Sequence, residues 1–367
     1  MGSLIEDLFQ PLIRHDTLWR IRMVDVGFKR LPLLTQTAYA RLLDSLLTAE
    51  AGDPLSGATL VSKTIGGRRY WYAQRRENGK KVQSYIGPET ADVTAVIERW
   101  RRGRVEASTR GELVAMARAG GAYLVGSPEA DVLARLAPVF RIGGVLVGSH
   151  AFVVLGNMLG VRWQEAMVRT DDVDIAHDHR IAVALARDGA PANIPQDLGD
   201  VLPRFSVLNP TDPATSFRVR GTQVDVEVLT PLIGRERSRP IRIEAIGAAA
   251  TPLRFLDYLI EETQPGAVLG GSGVLVNVPR PGRFALHKLI VASRRSRGAS
   301  GTTKAPKDRA QASALLRVLL AEVPGEITLA WKEISKRGKA WVTAAAISLA
   351  RLDEDLIAEL RRIGVRP

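Results

Sequence analysis

Apolar positions along the chain recur with two different periods, which separate helical from extended stretches. Near-helical spacing runs through residues 1–50, through an Arg- and Glu-rich stretch at 90–119, and through most of the chain after Pro281. In this last part, the pattern predicts helices over 283–295, 307–320, 326–338 and 344–363. Alternation of period two predicts strands in the stretches between them.

Residues 57–88 alternate between apolar and polar positions and contain two turn signals. Gly66-Gly67 and Asn78-Gly79 separate three short runs, and Gly87-Pro88 ends the last one. Asn-Gly between two alternating runs is typical of a tight hairpin. We therefore predict a β-meander here.

The middle of the chain mixes short buried runs with helical ones. Residues 139–147 have the pattern of a buried strand that ends at Gly148-Ser149 and leads into a helix at 150–159. Further strands are predicted at 172–176, 217–220 and 222–229, the last two hinged at Gly221. The fold class is therefore α+β, a mixed sheet with helices. We predict three parts: a helical and β-meander region (1–120), a central mixed-sheet domain (121–280) and a helical domain (281–367).

Composition excludes several classes of protein. The hydrophobic fraction is 46% and the charged fraction 25%, as in a globular protein, and no apolar run approaches the roughly 20 residues that span a bilayer. The absence of cysteine excludes disulfides, thiolate metal sites and cysteine nucleophiles. The first residues lack the basic and then apolar pattern of a secretory signal, so we expect a cytoplasmic protein.

Positive charge dominates, with a net charge of +12. One basic cluster, at 63–81, interleaves seven Lys and Arg residues with tyrosines and Trp71, and a second spans 280–309. Such clusters favour an anionic partner, and we expect salt-sensitive binding of RNA, tRNA included. Two simpler explanations stay open: an Arg-rich genome composition, and aromatic residues that are half-buried in a sheet.

Carboxylates pair on one face of two predicted strands. Alternation places Asp172 with Asp174, and Asp225 with Glu227, among apolar neighbours. Like charges on one face repel unless a cation neutralises them, and oxygen ligands suit Mg²⁺ or Mn²⁺. If the two strands are neighbours, the carboxylates converge as phosphoryl and nucleotidyl transfer require. The alternative interpretation is a solvated strand end.

Gly148-Ser149 and three histidines are weaker signals. A strand that ends at Gly148-Ser149 before a helix offers backbone N–H groups and a hydroxyl to a phosphate, although Ser149 could equally be an ordinary N-cap. His150 lies beside this turn. His177 and His179 could bind a metal, but a solvated loop is the preferred interpretation.

The order of these motifs resembles the polymerase-β-like nucleotidyltransferase superfamily, in which a Gly-Ser strand end precedes an Asp-x-Asp strand and a third carboxylate. The resemblance implies that Asp172 and Asp174 are metal ligands and that Asp225 or Glu227 is the third. It also implies that Ser149 and its neighbouring amides contact the triphosphate. Ser149 and Asp172 are 23 positions apart, longer than the usual gap, so residues 160–170 are expected to be an insertion.

Two further segments carry a narrower resemblance. Leu286-His287-Lys288-Leu289 followed by Lys307-Asp308 is similar to paired motifs of abortive-infection type toxin nucleotidyltransferases. It implies that Lys288 contacts a nucleotide phosphate and that Lys307 and Asp308 shape the nucleotide pocket. The aromatic segment 69–72, with 85–88, resembles the extension that precedes the catalytic region in a bacterial family of this fold.

The combined prediction is a Mg²⁺- or Mn²⁺-dependent enzyme. It would transfer a nucleoside monophosphate from ATP or another nucleoside triphosphate to an acceptor hydroxyl, with RNA or tRNA as the expected acceptor. The alternative is a non-catalytic nucleic-acid-binding or regulatory protein that retains the fold.

Overall fold

The computed structural model describes residues 28–49, 59–77, 80–170, 172–180, 192–199, 201–204, 212–235, 239–295 and 301–366. Two sequence predictions lie outside these residues: the helical stretch at 1–27 and the Asn78-Gly79 turn.

The N-terminal part confirms the meander. Strand β1 (Phe28–Arg30) and helix α1 (Leu33–Ala49) come first. Strands β2 (Thr59–Ile65), β3 (Arg68–Glu77) and β4 (Lys80–Pro88) then form an antiparallel sheet in that order. Helix α2 (Ala91–Ala119) follows, and it begins where the Thr90 hydroxyl accepts a hydrogen bond from the Val93 amide at 3.3 Å.

The central part runs through short elements. They are α3 (Glu129–Arg135), α4 (Ala137–Arg141), β5 (Val145–Leu146), α5 (Gly148–Met158), β6 (Val161–Trp163), α6 (Glu165–Val168), β7 (Asp172–Ala176), α7 (Ile194–Leu198), β8 (Val201–Arg204), β9 (Ser216–Val219), β10 (Asp225–Pro231), β11 (Ile241–Ile243), β12 (Ala248–Leu253), α8 (Leu256–Ile260), β13 (Thr263–Val268) and β14 (Val274–Pro279). This alternation of short strands and helices is the predicted α+β fold.

A seven-stranded mixed sheet organises these elements. Five strands follow the order β11-β12-β10-β7-β5, and β8 joins through β9, which pairs with β10. The pairs β10–β7 and β10–β12 are parallel, whereas β5–β7, β9–β10, β8–β9 and β11–β12 are antiparallel. Strands β13 and β14 form a separate hairpin. Val173, Val226 and Val228 are fully buried, so the centre of this sheet lies in the main core.

The predicted strand over 139–147 is wrong in most of its length. Pro138 lies at the start of α4, where its fixed φ suits a first helical turn, and only Val145 and Leu146 are extended. Gly144 follows this helix so closely that an added Cβ would lie 2.7 Å from the Val139 carbonyl oxygen. The close packing of this turn explains why an apolar run bends instead of extending.

Within residues 160–170, four side chains belong to the main core: Val161, Trp163, Met167 and Val168. Strand β6 pairs with β1, and Trp163 stacks on Phe152 with ring centroids 4.4 Å apart. The Trp163 indole N–H donates to the Phe152 carbonyl at 2.7 Å. The additional residues between Gly148-Ser149 and Asp172 therefore contain strand β6, which pairs with the N-terminal strand β1.

The C-terminal part contains helices α9 (Pro281–Arg295), α10 (Gly301–Glu322), α11 (Pro324–Lys336), α12 (Lys339–Leu349) and α13 (Glu354–Arg362). The single helix predicted over 344–363 is thus two helices. Asp353 is extended between them, and Arg317 of α10 binds both Asp353 and Asp355 at 2.6 Å. These ion pairs draw the start of α13 onto α10.

The parts of the chain pack together directly. Tyr39 of α1 donates to the Ala267 carbonyl of β13 at 3.1 Å and accepts from the Ala267 amide at 2.9 Å. The division into three domains stays a prediction. Of the helices that the structure describes, none has the length and apolar character needed to cross a membrane.

Candidate active site

Two neighbouring parallel strands bring the predicted carboxylates together. In the register of β7 and β10, Asp225 lies opposite Asp172, and Glu227 lies opposite Asp174. The alternation of each strand puts all four on the same sheet face, while Val173 and Val226 point into the core. The sequence predicts that these carboxylates converge if their two strands are neighbours, and β7 and β10 are neighbours.

Gly148 makes the close approach of the next element possible. It has φ +66°, a conformation that L side chains rarely adopt, and a Cβ added to it would overlap Oδ2 of Asp174. The Val147 amide donates to the Asp174 carbonyl at 3.0 Å, which fixes the start of α5 against β7. The turn therefore places the N-terminus of α5 directly beside a carboxylate.

Ser149 is not the N-cap. Helix α5 begins at Gly148, Val147 occupies the cap position without a side-chain hydrogen bond, and the Ser149 side chain is buried in the first turn. Serine as a cap is thus the wrong interpretation. The first turn still presents backbone N–H groups at a helix N-terminus, the usual donors to a phosphate.

The Asp174–Glu227 pair holds concentrated negative charge. The pKa of Asp174 is raised to about 6 by burial and by the charges of Glu227 and Asp172, against the opposing effect of Lys288 and Lys304. The pKa of Glu227 is also raised, first by burial and then by Asp172. Among the described residues, no salt bridge reaches either side chain. The positive charges nearby therefore fall short of neutralising them.

Asp225 differs from Glu227, although both lie on the same strand face. The Arg218 guanidinium of β9 binds Asp225 with two hydrogen bonds, Nε to Oδ1 at 2.7 Å and Nη2 to Oδ2 at 2.5 Å. This bidentate pair already supplies a cation to Asp225. Glu227 is exposed towards the cleft instead. The sequence leaves open whether Asp225 or Glu227 is the third metal ligand, and these contacts favour Glu227.

These residues fit a divalent cation by their chemistry. Asp172, Asp174 and Glu227 supply hard oxygen donors. Burial, and then the charge of neighbouring carboxylates, raises the pKa of Asp174 and Glu227, and a bound cation would offset this cost. In the part of the chain that the structure describes, however, no three His, Asp or Glu side chains are gathered as a finished ligand set. The carboxylates are therefore neighbours, and their side chains would have to rotate before they could bind one cation together.

A cationic wall faces the carboxylates. Lys288 on α9 and Arg295 at its end both bind Asp308 of α10, at 2.8 and 2.6 Å. Asp308 is buried, so it anchors both cations on the wall of the cleft. Lys307 has a different position, because its Nζ donates to the Arg169 carbonyl at 2.7 Å and burial lowers its pKa.

Lys304 belongs to the 280–309 basic cluster but is not among the site residues that the sequence predicts. Lys304 is exposed, and its charge acts on both Asp174 and Glu227. It lies in the same helix as Lys307 and Asp308, one turn earlier. A helical projection of 304, 307 and 308 could have revealed it, since residues three and four apart share a helix face.

The cleft has a volume of about 480 Å³ and combines two kinds of wall. Its polar end holds Gly148, Asp174, Glu227, Lys288, Arg295 and Asp308. The rest of its lining is mostly apolar, with Arg254 and Arg294 among the exceptions. It includes Phe255, a bulky residue held at φ +69° with the Arg294 guanidinium 5.3 Å from its ring centre. A nucleotide has the same division, a charged triphosphate and a flat apolar base.

The histidines have structural contacts. His150 Nδ1 lies 3.0 Å from the Asp172 carbonyl, and His179 Nδ1 lies 2.9 Å from the Thr230 hydroxyl. His177 is fully buried, with Nε2 3.0 Å from the Ile142 carbonyl, so the expectation of a solvated loop is wrong for it. Burial lowers the pKa of His287, which lines the cleft, to about 3, so it is neutral near pH 7.

Comparison with protein families agrees with this geometry. The family model described as "Nucleotidyltransferase" matches residues 129–336, which is more than half of the chain. The chain belongs to this nucleotidyltransferase family. The matched segment includes α5, β7, β10, α9 and α10, and therefore every predicted site residue. A second model, "Domain of unknown function (DUF6788)", matches residues 56–95, which contain the meander. Neither a curated protein nor a solved structure matches the chain.

The two basic clusters of the nucleotidyltransferase differ in how their charge is used. In the 280–309 cluster, Arg280 pairs with Glu326, and the buried Arg283 binds Glu261 at 2.7 Å and Glu262 at 3.0 Å. Together with the Asp308 pairs, these contacts place much of its charge inside the fold. In the 63–81 cluster, Lys63, Arg68 and Lys81 are exposed on the meander.

Proposed function

We propose that this protein transfers a nucleoside monophosphate from a nucleoside triphosphate to an acceptor hydroxyl in a reaction that depends on Mg²⁺ or Mn²⁺. One observation carries the proposal: Asp174 and Glu227 lie side by side, with raised pKa values, next to a helix N-terminus in a nucleotidyltransferase family member. A purely structural strand pair would gain stability from neutral side chains there, because like charges held side by side in a partly desolvated cleft are costly.

Different residues of the cleft would bind the cation, the phosphates and the base of the nucleotide. Asp172, Asp174 and Glu227 would hold the divalent cation, which supplies Lewis acidity to the triphosphate when bound. Backbone N–H groups at the start of α5, around Gly148 and Ser149, would donate to phosphate oxygens. Lys288, held in place by Asp308, would contribute a positive charge to the same phosphates. The apolar end at Phe255 would receive the base.

The proposed step is a single displacement at the α-phosphorus. The acceptor hydroxyl oxygen forms a bond to this phosphorus, the bond to the β-phosphate oxygen breaks, and pyrophosphate leaves. Glu227 accepts the hydroxyl proton, because its raised pKa makes it the better base and Asp225 is occupied by Arg218. The positive charges of Lys288 and Lys304 offset the charge that develops on the leaving pyrophosphate.

The proposed acceptor is RNA, tRNA included, as the exposed charge of the 63–81 cluster favours. Membership in the polymerase-β-like superfamily and a relation to abortive-infection type toxins are part of the same proposal. They rest on the Gly148-Ser149, Asp172-x-Asp174 and Lys307-Asp308 motifs.

Transfer of label tests the proposal. The purified protein is incubated with each α-³²P-labelled nucleoside triphosphate, Mg²⁺ or Mn²⁺, and bulk tRNA. We expect labelled RNA with wild type and none with the double variant Asp172→Asn plus Asp174→Asn. The matched control is Asp131→Asn, which removes an exposed carboxylate of α3 bonded to Ser127 and should leave labelling unchanged.

One observation favours a second candidate, a non-catalytic protein that retains the fold. Asp225 is neutralised by Arg218, and the described residues contain no finished metal-ligand set. This candidate requires RNA binding without transfer of label and without a metal requirement. Labelling that persists in the double variant would also refute the proposed site.

A further inference from the structure

The two faces of the meander are unlike. On one face, Trp71 and Ala73 are buried, and Gly87 leaves room for Val93 of α2, whose Cγ2 would lie 3.0 Å from an added Cβ. This face is thus the one that packs on the protein. It accounts for the stability of the sheet, because a three-stranded sheet needs one covered apolar face.

The opposite face carries three tyrosines in contact with each other. Tyr72 and Tyr85 have ring centroids 5.5 Å apart, and Tyr70 and Tyr85 6.4 Å apart. The register places Tyr72 opposite Tyr85 on the neighbouring strand and Tyr70 two positions earlier on the same face. We call this surface the tyrosine face. Tyr85 is 58% exposed, whereas Tyr70 and Tyr72 are half-buried, so the Tyr85 ring is the most open to solvent.

Cations surround the tyrosine face. Lys63 Nζ lies 4.7 Å from the centre of the Tyr72 ring, and alternation puts Arg68 and Lys81 on this same side of the sheet. Residues 59–88 contain seven Lys and Arg residues but one acidic residue, Glu77. The surface therefore combines flat aromatic rings with surrounding charged side chains that are almost all positive.

Side-chain amides add hydrogen-bonding capacity beside the rings. Lys63 Nζ donates to Gln83 Oε1 at 3.0 Å, and Gln83 Nε2 donates to Gln74 Oε1 at 3.0 Å. This chain of contacts holds the side chains of three adjacent strands in fixed positions. Amide and phenol groups next to rings on which bases can stack are suited to the 2′-hydroxyl of RNA, which DNA lacks.

We propose that the tyrosine face binds single-stranded RNA, with bases stacked on Tyr85 and Tyr72 and phosphates held by Lys63, Arg68 and Lys81. The RNA has to be single-stranded, because bases that are paired in a duplex are not free to stack on a protein ring. The surrounding positive charges select a polyanion over a neutral protein partner. That this RNA is the acceptor of transfer rests on the proposed function, but the binding itself does not.

Fluorescence anisotropy of a fluorescein-labelled twelve-nucleotide oligo-U RNA, in EDTA and without nucleoside triphosphate, tests the proposal separately from catalysis. We expect Tyr85→Ala to weaken binding about ten-fold, since one stacked base contributes that much or more. Tyr85→Phe, which keeps the ring, should bind within about two-fold of wild type. Lys63→Ala combined with Lys81→Ala should reduce the salt slope by about two.

Two comparison nucleic acids and one folding check complete the experiment. The same sequence as DNA, and as an RNA duplex, should bind more weakly than the single-stranded RNA. Equal or tighter binding of either, or identical binding by wild type and Tyr85→Ala, would overturn the proposal. Far-UV circular dichroism of each variant separates lost binding from lost folding. Binding as expected but no transfer of label would leave the tyrosine face standing and refute the proposed function alone.

Discussion

The cleft and the tyrosine face carry charge in opposite ways. In the cleft, Asp174 and Glu227 are alike in sign, and burial raises the pKa of both. The charge of Glu227 raises the pKa of Asp174 further, and the charge of Asp172 raises both. On the tyrosine face, Lys63, Arg68 and Lys81 are exposed, and water screens them from one another. The like charges in the cleft cost folding free energy, and such a pair is expected where a bound ligand offsets that cost. The arrangement on the tyrosine face costs little, and it can gather binding affinity from many weak contacts.

The largest expected effect is that of Asp174→Asn on transfer. Loss of this carboxylate removes a proposed metal ligand, and we expect the rate to fall about 1,000-fold or more. Tyr85→Ala should by contrast leave transfer at saturating acceptor unchanged, because its ring lies outside the cleft. Initial rates with both variants measure the contrast. Equal losses would show that the two regions are not separate in function.

The same Asp174→Asn variant should be more stable than wild type in EDTA. The folded pKa of about 6 lies above the unfolded value of 3.8, so the folded state binds more protons between these values. Stability therefore falls as pH rises from about 4 to about 6, and the full cost, up to about 3 kcal/mol, applies above that range. Asparagine does not pay this cost. Thermal unfolding at pH 5, 6, 7 and 8 should show a gain for the variant that grows from pH 5 to about pH 7 and then levels off, and a gain that is constant or shrinks from pH 5 to 7 would contradict it.

Gly148→Ala and Gly67→Ala compare two glycines with similar backbone conformations. Both have positive φ, +66° and +77°, so each alanine should cost about 1 kcal/mol of stability. Only at Gly148 does the added Cβ meet another group, Asp174, whereas nothing lies within 4 Å of it at Gly67. We expect Gly148→Ala to lose about 100-fold in transfer and Gly67→Ala to lose almost none. Urea unfolding and initial rates of both variants distinguish backbone strain from damage to the cleft.

Glu227→Gln and Asp225→Asn separate the two carboxylates of β10. Glu227→Gln should reduce transfer about 10- to 100-fold and raise stability slightly in EDTA, because the raised pKa of Glu227 shows that its charge is disfavoured in the folded state. Asp225→Asn deprives Arg218 of its partner, so it should lower stability by about 1 kcal/mol, a modest value for a partly exposed pair, with the smaller effect on transfer. The reverse order of the two activities would assign the third ligand to Asp225.

Local patterns predicted the meander, most helices and the paired carboxylates, because each depends on neighbours in sequence. The strand at 139–147 could not be predicted correctly, since the turn at Gly143 and Gly144 overrides the apolar run. The division of the last helix depends on Arg317, which reaches Asp353 from another helix.

The site shows the same limit. Period two reveals that Asp172 and Asp174 share a face, but only the parallel register of β7 and β10 shows that Glu227 lies beside Asp174. The pairing of Asp225 with Arg218 depends on β9 as a third strand. Such contacts between distant segments decide which carboxylates are left for chemistry, and no local pattern contains them.

The position of the label in the product tests the central claim most directly. Wild type and Asp174→Asn are incubated with Mg²⁺, tRNA and a nucleoside triphosphate labelled with ³²P at the α- or the γ-phosphate. The account predicts that wild type attaches the α-label to RNA, releases the γ-label as pyrophosphate, and that Asp174→Asn does neither. Attachment of the γ-label, or equal attachment of the α-label by both proteins, would contradict nucleotidyl transfer at these carboxylates.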